Sequence, residues 1–121
     1  NFIAQAICTA TAEAFAAAVK SGVNPKELVR VVSAGGVNSG LFQAMAKSLD
    51  GDMTGLKFQL DNARKDLRYY THFTESMPVA SWVGEAVHQS LVQACALGLG
   101  DGMVAHLVVA QEKLNDVKIT P

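Results

Sequence analysis

The stretch FIAQAICTATAEAFAAAVK, residues 2–20, decides the fold class. It holds neither Pro nor Gly, and its alanines allow helix throughout. Ile3, Ile7, Ala10, Ala14 and Ala17 recur at helical intervals, while Phe2, Phe15 and Val19 add apolar surface on other sides. A helix of this length is roughly 30 Å long. One that is apolar nearly all round must be covered on most sides. The expectation is a central helix of a helical domain, or one packed between subunits. Gly22 supplies the stop.

The rest of the chain extends this pattern. Asn24 can cap a helix that Pro25 begins and that runs to about Ser33, with Glu27 three residues after the cap. AGGVNSG (34–40) reads as a flexible turn, LFQAMAKSL (41–49) as a short helix and DGDMTG (50–55) as a loop. A helix follows from about Phe58 to Glu75, with Leu60, Ala63, Leu67 and Tyr70 on one stripe. Pro78 opens another, to about Leu97. GLGDG (98–102) breaks the chain, and Asp101 can cap a last helix to about Leu114. The tail NDVKITP reads as frayed. No strand, repeat or low-complexity tract is evident.

Composition sets the function classes. The chain has 121 residues, enough for one domain with a core but short for a complete enzyme. Half the residues are apolar, 17% are charged, and the net charge is −1. Without a basic excess, nucleic acid is not expected as a partner. Polar residues interrupt the apolar runs, so no membrane span is expected. Cys8 and Cys95, the two cysteines, suit buried thiols in a reducing compartment, and a cytoplasmic location follows. The chain opens on Asn-Phe-Ile and enters the apolar helix at once, which reads as a piece of a longer protein.

Three motif-like features lead nowhere by spacing alone. GLGDG resembles part of a dinucleotide fingerprint, but a helix precedes it where that fingerprint needs a strand, so it reads as a helix–helix turn. His72, His88 and His106 lack the spacing of metal ligands, and no metal is expected. Residue types for a Ser/His/Asp triad exist without any sign of geometry.

NARKDLRYY (62–70) concentrates Arg64, Lys65, Asp66 and Arg68 beside Tyr69 and Tyr70. On a helix Asp66 falls at the edge of the apolar stripe, where a carboxylate needs a cationic partner or serves a ligand. Arg64 and Arg68 read as solvent or interface residues, and the tyrosines as packing residues.

The chain resembles the C-terminal helical domain of the β-hydroxyacid dehydrogenases, the group that includes 3-hydroxyisobutyrate dehydrogenase, tartronate semialdehyde reductase and glyoxylate/succinic semialdehyde reductase. The resemblance rests on an ordered set. Asn1 precedes an apolar helix carrying TAEA (11–14). GVNPKEL (22–28) starts the second helix. Phe58 is followed seven residues later by Lys65-Asp66-Leu67, and MPVAS (77–81) follows in turn.

That resemblance implies an all-α domain over residues 1–121, like the C-terminal domain of 6-phosphogluconate dehydrogenase, with about six helices around the long first one. It implies hydride transfer between NAD or NADP and a small carboxylate-bearing 3-hydroxyacid or semialdehyde. The nucleotide would sit in the protein's own N-terminal Rossmann domain, absent from this chain, so no cofactor is expected here alone. The catalytic lysine would lie four positions upstream of Asn1. Asn1 would hydrogen-bond the substrate's carboxylate side. Lys65 would lie near the nicotinamide, and Phe58 and Asp66 would line and order the site, Asp66 fixing a neighbouring cation. The resemblance assigns nothing to residues 34–40. A homodimer or higher homo-oligomer is also implied. The other reading is a non-catalytic helical dimerisation module.

Overall fold

The computed structural model covers residues 1–121. It contains six α-helices, two short 3-10 turns and one isolated bridge between Gln59 and Met103. The helices are α1 (Phe2–Lys20), α2 (Pro25–Ser33), α3 (Gly40–Ala46), α4 (Leu60–Ser76), α5 (Trp82–Ala96) and α6 (Leu107–Asn115). The all-α expectation holds, and α1 is the hub: it packs against every other helix.

The face of α1 that enters the core is not the stripe the sequence singles out. Cys8, Ala12, Phe15 and Ala16 are buried, with Phe15 meeting Phe42 of α3 edge-on at 6.3 Å between ring centroids. Ile3 is 71% exposed, and Ala10, Ala14 and Ala17 also face outward. Burial raises the Cys8 thiol to about 11. By length and composition α1 also meets the requirements of a membrane span, contrary to the sequence reading. Here its inner face is occupied by α3, α5 and α6.

Local chemistry sets the helix ends. After α1, Gly22 takes φ +86°, and the amides of Gly22 and Val23 bond back to Val19 and Ala18. Gly98 does the same after α5, its amide reaching Cys95 while that of Leu99 reaches Ala94. The first glycine of GLGDG is therefore a helix stop. Asn24 caps α2 through its side chain, as expected.

The second half of GLGDG has a different task. The carbonyls of Gly102 and Gly100 accept from Leu60 N and Asp61 N at 2.8 and 3.0 Å. The opening amides of α4 thus find partners in a segment far along the chain, where Gln59 offers no side-chain cap. This fixes the start of α4 at Leu60 rather than Phe58. It also holds residues 100–103 in a turn against α4, so Asp101 caps nothing and, after a 3-10 turn at Val104–His106, α6 begins only at Leu107.

α5 likewise starts at Trp82 rather than at Pro78. Met77 N and Val79 N both bond to the Thr74 carbonyl, which wraps the chain around the end of α4 before a new helix can begin. Loop 34–39, expected to be flexible, is tied down: Gln43 Nε2 donates to Ser33 Oγ and Asn38 Oδ1. The tail is not frayed. Glu112 accepts from Ile119 N at 2.7 Å and Thr120 N at 3.0 Å, and Ile119 joins the core.

Candidate functional site

α4 carries the charged signature on its outer side. Its inner stripe, Leu60, Ala63 and Leu67, is fully buried and fixes the helix's rotation. The next residues around the wheel must then sit at the rim or outside it. Asp66 is half-buried at that rim, and Lys65 is exposed without an ion-pair partner.

Asn1 Nδ2 donates to Asp66 Oδ2 at 2.8 Å, joining two residues 65 positions apart. Beside this contact, Phe2 stacks on Tyr70, with ring centroids 4.2 Å apart and planes 17° from parallel. The structure therefore brings Asn1 and Asp66 together, and Lys65 precedes Asp66 on the exposed side of α4. Asp66's partner is an amide, not the expected cation. No basic side chain lies within ion-pair distance of it. Phe58 is held differently. Its carbonyl accepts from Val104 N at 2.8 Å and its ring packs, half-buried, against the core. Of these four residues, Asn1 and Asp66 meet at an exposed contact, while Phe58 is bound elsewhere, to Val104 and the core.

Arg68 is exposed, as expected, but Arg64 is not simply a solvated residue. Arg64 Nε pairs with Asp61 Oδ1 at 2.9 Å, and the Cys95 thiol approaches the same oxygen at 3.7 Å. The Arg64 hydrogen bond holds the Asp61 carboxyl below the usual range, while burial, then Asp61, raises the Cys95 thiol. The Arg68 guanidinium lies over the Tyr69 ring at 5.4 Å, and that ring is 57% exposed, so only Tyr70 of the two tyrosines packs. The histidines stand apart: burial lowers His88, while His106 Nδ1 lies 3.1 Å from the Met103 carbonyl. No group of three or more His, Cys, Asp or Glu side chains converges as metal ligands do.

Spacing along the chain gave no hint of the Asn1–Asp66 contact, the Phe2–Tyr70 stack or the approach of Cys95 to the Asp61–Arg64 pair. Each joins residues of different helices or different chemical classes.

Comparison with known families now bears on this surface. Residues 1–110 match the family described as NAD-binding of NADP-dependent 3-hydroxyisobutyrate dehydrogenase. The chain belongs to this family. In this 3-hydroxyisobutyrate dehydrogenase-like chain the matched residues are helical and include no βαβ unit. Glyoxylate/succinic semialdehyde reductase 2, chloroplastic, of Arabidopsis thaliana is 27% identical over 101 residues, covering 84% of this chain. The match spans 28% of that relative's length.

Proposed function

We propose that this chain is the C-terminal helical domain of an NAD(P)-dependent dehydrogenase of small 3-hydroxyacids or semialdehydes, and that the α1–α4 surface is one wall of its interdomain cleft. The observation that carries this reading is the Asn1–Asp66 hydrogen bond beside an unpaired Lys65. It joins two of the motifs of the family resemblance at one exposed contact. All-helical architecture over the matched residues supports the placement after a nucleotide-binding domain.

The residues suit the ligands in question. An amide and an ammonium on an exposed wall offer hydrogen-bond donors to a carboxylate or a carboxamide, both of which are acceptors. Asn1 Nδ2 keeps one N–H after its bond to Asp66, and that N–H can orient the substrate's carboxylate side. The nicotinamide would supply or accept the hydride, with the protein contributing orientation and charge. Proton transfer at the substrate hydroxyl falls to a lysine four positions upstream of Asn1.

The experiment compares two proteins. The 121-residue chain should show no NADH- or NADPH-linked reduction of glyoxylate or succinic semialdehyde. An intact gene product with a βαβ nucleotide-binding domain and that upstream lysine should reduce at least one of them. An intact product lacking both would leave the dimerisation module in its place.

The same reading includes self-association. The outward stripe of α1 and the exposed Trp82 and Val83 of α5 flank a groove of about 700 Å³ with Glu13 as its only charged lining residue. A surface of this kind suits another copy of the chain. Light scattering at micromolar concentration should give the mass of a dimer or larger; 12.8 kDa, the monomer mass, would refute the association.

A further inference from the structure

We infer that Tyr70 is a positioning residue that, by stacking on Phe2, sets where α1 begins against α4 and so keeps the Asn1 amide on Asp66. The inference rests on reading Asn1 and Asp66 as part of the substrate wall. It adds a device that no family motif assigns.

Two contacts carry it. Asn1 and Phe2 are consecutive, while Asp66 and Tyr70 are one helical turn apart on α4. The start of α1 therefore meets one side of α4 at two points, a polar one and an aromatic one. The polar point is exposed, and water competes for both of its partners. An exposed hydrogen bond cannot by itself hold a helix in register. The stack is half-buried and its rings are nearly parallel, an arrangement that fixes separation and tilt together.

Tyr70 is itself seated from behind. α4 packs chiefly against α5, and Gly84 of α5 is buried beneath the ring. A Cβ at Gly84 would run into Ser81 Oγ and press on Tyr70 Cε2 at 3.3 Å. Ser81 can rotate away, but the ring would have to move, and it is confined between Gly84 and Phe2. A path of contacts thus leads from α5 through Tyr70 to the site amide. It is the ring that makes these contacts, so Phe can replace Tyr.

Two readouts test this. In the ¹⁵N-labelled chain, the side-chain amide pair of Asn1, assigned with Asn1→Ser, should move toward the position of a solvated asparagine in Tyr70→Ala and shift partway in Gly84→Ala. Tyr70→Phe should leave it in place. In the intact enzyme, Tyr70→Ala should lower kcat/KM for glyoxylate by about tenfold, the order expected from a misplaced orienting group, and Tyr70→Phe should stay within about twofold. If Tyr70→Ala fails to fold, Gly84→Ala decides the question. An Asn1 signal unmoved in either variant overturns the inference. A moved signal with unchanged kinetics keeps Tyr70 as the residue that places Asn1, but removes Asn1 from the substrate wall.

Discussion

Replacing Lys65 by alanine in the intact dehydrogenase should lower kcat/KM by about 100-fold, the scale on which lost orientation and charge act at a reacting centre. Lys65 is exposed on α4 and has no carboxylate within ion-pair distance. Removing it breaks no contact that holds the fold. Stability should therefore stay within about 0.5 kcal/mol of the parent protein. Activity lost without a fall in melting temperature is the signature of a group that meets ligand. Steady-state kinetics beside a thermal melt check it; near-normal kinetics would make Lys65 a surface residue and remove the main cation from the proposed wall.

Leu67→Ala, two residues along the same motif, should do the reverse. Leu67 is fully buried in the core with Leu60 and Ala63 of its own helix and Val87 and Leu91 of α5. Truncating such a side chain leaves a hole that tight surroundings fill only in part. The expected loss is about 3 kcal/mol, or a melting temperature lower by about 10 °C for a chain of this size. Because the loss comes from packing, the folded fraction should keep its ligand contacts. Calorimetry of the 121-residue chain reads it directly, and a change under about 1 kcal/mol would mean that α4 is not anchored as described.

These opposed outcomes explain why a mostly apolar chain gathers charges at 64–68. One turn of α4 supplies a core residue, an exposed ammonium and the carboxylate that holds Asn1. Periodicity made the first of these legible: Leu60, Ala63 and Leu67 repeat at helical spacing and are the residues that vanish from solvent. The resemblance pointed to Lys65 and Asp66, while their geometry stayed hidden. Asp66's partner is an amide from the far end of the chain, and nothing local to α4 announces a bond to residue 1.

Helix boundaries divide in the same way. α1 and α2 end and begin where Gly22, Asn24 and Pro25 say, because their termini are satisfied by neighbours in sequence. α5 and α6 start late, because the backbone groups that would have opened them are engaged with α4. The outward turn of the Ile3–Ala17 stripe also escaped the pattern: on a helix apolar nearly all round, hydrophobicity alone cannot say which side is in.

The manner in which α4 begins has one more consequence. Its opening amides are satisfied only when residues 100 and 102 have come back to meet them. Cut free, a peptide of residues 58–76 would unravel first at the end nearest the charged signature. Lengthening the GLGDG turn by a single residue would loosen that same end without touching the signature itself. Engineers and natural drift alike must treat these two distant segments as one hereditary unit, altered jointly or left alone.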